Sequence, residues 1–95
     1  MAERASTAAV EIEFFGLPRQ RAGVDRCAVA AGTLGQILET LARQLPGLVP
    51  DILEARGRPS RHLLIALDGQ TIVDDLARPI ARGQTLVFIS AQAGG

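Results

Sequence analysis

The sequence closes on Gly94-Gly95, after the strand-like run Gln84–Ile89 and a spacer of small residues, Ser90-Ala91-Gln92-Ala93. A terminal carboxylate is the one acyl group a protein can offer for activation without unfolding. Glycine at the last two positions removes every β-carbon, so a partner's narrow channel can close around the backbone. The expected reacting group is therefore the Gly95 carboxylate, carried on a stalk of Gln92, Ala93 and Gly94. Fully extended, residues 91–95 reach at most about 17 Å, enough to enter a buried site on another protein.

The other residues capable of chemistry point to less. Cys27 is the single cysteine, which excludes an internal disulfide, a Cys-Cys zinc site and a Cys-x-x-Cys redox pair. It lies in an alternating run and reads as a small apolar residue rather than a reactive thiol. His62 is also alone, so no metal site is expected from this chain. Asp74-Asp75 are adjacent carboxylates in a polar turn without a nearby histidine, and read as solvated charges. Arg56-Gly57-Arg58-Pro59-Ser60-Arg61 reads as an exposed basic loop, whose guanidinium forks would suit a phosphate or an acidic partner surface. All ten basic residues are arginine. Codon bias accounts for this, and so does avoidance of amines by a protein whose activated C-terminus seeks nucleophiles. Under either reading, the N-terminus is the only amine open to self-acylation.

Ninety-five residues make one domain, read here as 1–95 with a disordered lead at 1–9 and a flexible tail at 91–95. Hydrophobic residues at 47% against charged residues at 21% describe a globular chain, and with aromatics at 3% the aliphatic residues must build the core. Ten acidic residues balance the ten basic ones, leaving no field to gather nucleic acid or an anionic membrane. No apolar run approaches the roughly twenty residues of a membrane span, and the start lacks a secretion signal. A cytoplasmic protein without nucleic-acid or membrane partners is expected. Without lysine there is no Gly-x-x-x-x-Gly-Lys phosphate loop, so no cofactor is expected to be bound.

The elements that must carry this end follow from periodicity. Val10-Glu11-Ile12-Glu13-Phe14 alternates apolar and acidic residues, as a strand with one face on a core does. Gly16-Leu17-Pro18-Arg19 and Ala22-Gly23 read as turn signals, and Val24–Ala30 as a second strand in hairpin with the first. Thr33 and Gln36 form a capping-box pair opening a helix whose Leu34, Ile37, Leu38, Leu41 and Leu45 share one stripe, and Pro46-Gly47 ends it. His62–Leu67 is a near-continuous apolar run stopped by the turn Asp68-Gly69, and reads as a central strand. Thr71–Val73 is a short return, Pro79-Ile80 and Arg82-Gly83 bracket a turn, and Gln84–Ile89 is the last strand.

The pattern is α+β: a mixed sheet of four to five strands with one main helix packed on one face. The chain resembles the MoaD/ThiS sulfur carriers, which are ubiquitin-like β-grasp proteins. The likeness runs from Val10 to Gly95, through Glu13-Phe14-Phe15, Ala22-Gly23, Gly32-Thr33-Leu34, Leu67-Asp68-Gly69, Arg82–Phe88 and the final Gly94-Gly95. Length and the Phe14-Phe15 pair look most like the small subunit of molybdopterin synthase. Ser90–Ala93 departs from the proline-rich stretch common at that place in the molybdopterin branch.

The resemblance implies a carrier rather than an enzyme. A separate adenylating enzyme of the ubiquitin-activating type would use ATP on the Gly95 carboxylate, and a sulfur donor would convert it to a thiocarboxylate. The sulfur would pass to the large subunit of molybdopterin synthase or to another sulfur-accepting enzyme, for thiamine or cysteine. Joining Gly95 to a target amine, as a ubiquitin-like modifier, is one alternative, and a plain β-grasp interaction module whose terminal glycines are incidental is another. Ordering the stalk costs about 1–2 kcal/mol per residue, so the folded body must dock as well. One helix covers one face of the sheet, and the expected partner-binding residues are Phe15, Phe88 and Ile89 on the uncovered face.

Overall fold

The computed structural model describes residues 9–90. Strand β1 (Ala9–Phe14) buries Val10, Ile12 and Phe14 and turns Glu11 and Glu13 the other way, as its alternation requires. Ala9, expected in the lead over 1–9, belongs to this strand and is paired with Ala30; residues 1–8 lie outside the described residues.

After β1 the chain forms a short helix α1 (Leu17–Ala22) where the sequence reads as a turn. Pro18 sits in its first turn, where a missing N–H costs nothing, and Gly23 closes it in the left-handed conformation, with its N–H donating to the Arg19 carbonyl at 3.0 Å. Proline at the start and glycine past the end are helix-boundary signals, but the same residues also mark turns, which is why the sequence alone reads as two turns here. Strand β2 (Arg26–Ala30) returns antiparallel to β1 and starts two residues later than expected.

The two-residue strand β3 (Gly32–Thr33) leads into helix α2 (Leu34–Gln44). The capping box is present in both directions: the Gln36 N–H donates to Thr33 Oγ1 at 3.2 Å, and the Thr33 N–H donates to Gln36 Oε1 at 2.9 Å. Leu34, Ile37, Leu38 and Leu41 are buried as one stripe, while Leu45 lies past the helix end and is half-buried. Pro46–Leu48 forms a 3-10 turn that stops the helix.

Strands β4 (Leu63–Leu67), β5 (Thr71–Ile72), β6 (Pro79–Ile80) and β7 (Thr85–Ser90) complete the chain. Asp68 at φ 53 and Gly69 at φ 73 join β4 to β5 through two successive positive-φ residues, the backbone of a tight hairpin. The sheet order is β2-β1-β7-β4-β5, with β1 and β7 parallel and the other neighbours antiparallel. β4 is an interior strand, as expected, paired with β7 on one side and β5 on the other, and β7 holds the middle place. A separate two-stranded ladder pairs β3 with β6, a contact the sequence did not indicate. α2 packs on one face of the five-stranded sheet, and the core between them is closed by Val10, Ile12, Phe14, Ile65, Leu86 and Phe88. This is the expected α+β β-grasp arrangement, with α1 added.

Candidate functional site

Parallel pairing with β1 and antiparallel pairing with β4 fix which way each residue of β7 faces. Ile12 aligns with Leu86 and Phe14 with Phe88, while Phe88 also lies opposite Ile65. All of these are on the face covered by α2. Phe14 and Phe88 meet edge to face with ring centroids 5.4 Å apart and an interplanar angle of 77°. Phe88 is fully buried, so it leaves the set of expected partner-binding residues and joins the core. The reason is register: Leu86–Ile89 is apolar at every position, and the pairing with Phe14 decides which half faces inward.

The opposite parity forms the open face. Val87 lies opposite Ala66, Ala66 opposite Ile72, and Ile89 opposite Leu64. Ile72 is 55% exposed, Phe15 49%, and Leu64 and Ile89 38% each. Four large apolar side chains left partly exposed on one side of a sheet, beside the buried Ala66, make the kind of patch that proteins keep for contact with another molecule. Phe15 extends the patch past the end of β1, held there by its N–H donating to the Phe88 carbonyl at 3.0 Å. Beside it lies a hollow of about 140 Å³, with the Arg19–Asp25 ion pair (2.7 Å) in its wall. Along β1 the face turns acidic at Glu11 and Glu13.

Phe15 and Ile89 thus share the open face, as the sequence led us to expect, whereas Leu64 and Ile72 were missed. Leu64 is hidden in a run that is apolar throughout, and Ile72 lies in a two-residue strand. Their common signal is cross-strand register, which composition does not carry.

β7 delivers the chain to Ser90, opposite Leu63 at the edge of this patch. Gln92, Ala93, Gly94 and Gly95, the expected stalk and reacting group, lie outside the described residues.

The remaining candidates are exposed or inert. Cys27 is half-buried in β2 opposite Ile12, and its thiol is pushed above the ordinary range by burial first and by the Glu11 carboxylate second. Such a thiol is a poor nucleophile at neutral pH. His62 is exposed at the head of β4. Asp75 caps its own turn, its Oδ1 accepting from the Ala77 N–H at 3.0 Å, and Asp74 is exposed beside it. Among the described residues no group of three His, Cys, Asp or Glu side chains could hold a metal ion, and no helix is long and apolar enough to cross a membrane.

No protein-family model matches the chain, and comparison with curated proteins finds no match in sequence. Solved structures do match. SAMP1 from Haloferax volcanii, a small archaeal modifier protein, superposes with a TM-score of 0.77 at 22% identity over 92% of this chain and 99% of its own. A chain from the complex of subunits 1 and 2 of the molybdopterin-converting factor of Helicobacter pylori gives 0.60 at 21% identity, over 92% and 99%. Urm1 from Trypanosoma brucei gives 0.57 at 18% identity, over 93% and 96%. At these identities the likeness is one of fold, and the fold is the one the sequence resemblance implied.

Proposed function

We propose that this chain is a sulfur carrier that works through its Gly95 carboxylate in molybdopterin biosynthesis. In the first step a carboxylate oxygen attacks the α-phosphorus of ATP on an adenylating partner of the ubiquitin-activating type, and pyrophosphate leaves. Sulfur from a donor then displaces AMP and leaves a thiocarboxylate, a soft nucleophile for the acceptor enzyme. The large subunit of molybdopterin synthase is the acceptor that best fits the resemblance. The Helicobacter pylori structure, in which subunit 1 is bound to subunit 2, supports a two-protein arrangement of this kind.

The observation that carries the reading is the coincidence of the open apolar face with the strand that leads to the stalk. Ile89 and Val87 present from β7, and residue 90 of the same strand is the last before 91–95. A partner that grips this face holds the stalk within reach of its own active site. Gripping the body offsets the entropy of ordering the stalk, about 1–2 kcal/mol for each residue.

A second reading, attachment of Gly95 to a target amine, is favoured by the likeness to SAMP1. Both readings share the adenylation step and differ in the nucleophile that displaces AMP. Intact mass after incubation with ATP, a cognate activating enzyme and sulfide separates them. The carrier reading expects a gain of about 16 Da as sulfur replaces oxygen, and the modifier reading expects conjugates heavier by a whole protein. No change with a competent enzyme overturns both. Deleting Gly95 is expected to abolish the mass gain while leaving thermal stability intact.

A further inference from the structure

The basic loop Arg56–Arg61 is held in a defined conformation. Its backbone is pinned: the Glu54 N–H donates to the Arg58 carbonyl at 2.7 Å, the Gly57 N–H donates to the Glu54 carbonyl at 2.8 Å, and Leu53 bridges Pro59. Gly57, at φ 85, is pressed against α2, where a β-carbon would stand 2.7 Å from the Glu39 nitrogen. Arg56 and Arg58 therefore flank a fixed point on the helix. Arg19 and Arg21 are paired with Asp25 and Asp51, whereas the guanidinium groups of Arg56 and Arg58 have no ion-pair or hydrogen-bond partner among the described residues. Together with Gln36, Glu39 and Leu76 they line a hollow of about 370 Å³.

The chemistry of the lining selects its occupant. The first amides of α2 are already used, by Gln36 Oε1, the Arg78 and Leu76 carbonyls and Thr33 Oγ1, so the helix N-terminus has none to offer a free anion. Glu39 repels any anion placed against it, phosphate or carboxylate, but it can accept from a peptide N–H, so a peptide can set its backbone at Glu39 and its carboxylates at the two guanidinium forks, which a compact phosphate cannot do. We propose that the Arg56-Gly57-Arg58 loop and the start of α2 form a second docking site, for an acidic peptide segment of a partner protein. It lies on the helix side of the sheet, away from the open face, and can be filled while that face is engaged. The site does not depend on the chemistry proposed for Gly95.

The test is a titration of the ¹⁵N-labelled protein with N-acetylated, amidated hexaglutamate, beside inorganic phosphate and the matching hexaglutamine. The amides of Gln36, Glu39 and Gly57 are expected to shift together and saturate with hexaglutamate alone. Arg56→Gln with Arg58→Gln should raise the midpoint about tenfold or more, while Arg78→Gln with Arg82→Gln changes it less than about twofold. Absence of saturable shifts, equal shifts around Arg78 and Arg82, or an unchanged midpoint in the Arg56/Arg58 variant overturns the site. Phosphate moving the same amides at lower concentration overturns the peptide as its occupant.

Discussion

The two faces of the sheet are made by the same strands and differ in almost everything else. On the covered face Ile12, Phe14, Leu86 and Phe88 are essentially inaccessible, sealed by the stripe of α2. One residue along each strand the other face begins, and Phe15, Leu64, Ile72 and Ile89 remain in water. Phe88 and Ile89 are neighbours in sequence and opposites in environment. The exposed apolar residues are not overflow from a crowded core. The core is complete without them, with no buried polar side-chain atom left unpaired among the described residues. Stability and recognition are divided by parity, so each can be perturbed alone.

The strongest way to break this division is to attack the covered face and the open face on the same strand. Phe88→Ala removes the edge-to-face partner of Phe14 and opens a cavity between β7 and α2; it should cost about 3–5 kcal/mol in chemical denaturation. That is a large share of the 5–15 kcal/mol typical of whole domains, so the variant is expected to melt far below the parent protein. Ile89→Ala, one residue on, should cost much less. Equal losses at the two positions would mean that the open face is covered in solution, and the division would fail.

How far this division could be read from sequence depended on the strand. In β1 it was plain, because Val10-Glu11-Ile12-Glu13-Phe14 marks its inner face by alternation. The helix was equally plain, since Thr33, Gln36 and the leucine stripe agree at three levels. In β7 and β4 it was invisible: Leu86-Val87-Phe88-Ile89 and Leu63-Leu64-Ile65-Ala66-Leu67 are apolar on both sides, and only pairing with β1 orients them. That is why Phe88 was assigned to the wrong face and Leu64 to none. α1 escaped for a different reason. Pro18 breaks a strand and also opens a helix, and in a six-residue element there is no periodicity to arbitrate. The loop at Arg56–Arg58 was read correctly as exposed and basic, but its contact with α2 through Gly57 is tertiary and leaves no local mark.

A smaller perturbation acts on the open face. Phe15→Asp places a charge at the β1 end of the open patch, where the side chain is 49% exposed, so stability should move by no more than about 0.5 kcal/mol. Adenylation by the cognate activating enzyme should instead fall about tenfold or more, as expected when a central apolar anchor of an interface is lost. Unchanged adenylation and unchanged acceptor binding would remove Phe15 from the interface. A large stability loss would place it in the core.

The smallest effect concerns the edge of the covered face. Cys27 sits across from Ile12 on the inner parity, but in the outermost strand, where cover is incomplete. Burial, and then the Glu11 carboxylate, raise its thiol above the ordinary value. At pH values below the ordinary thiol pKa, about 8.5, the thiol is protonated in both folded and unfolded chains and its contribution to stability is fully present. As pH rises from there through the folded pKa, the unfolded chain releases a proton that the folded chain keeps, and stability is lost. The alkaline window is unusually clean, because the sequence has no lysine and no tyrosine. Urea midpoints measured at steps across that window should decline more for the parent protein than for Cys27→Ala. Parallel declines would show that the cover which buries Val29 in the same strand does not extend to the Cys27 thiol.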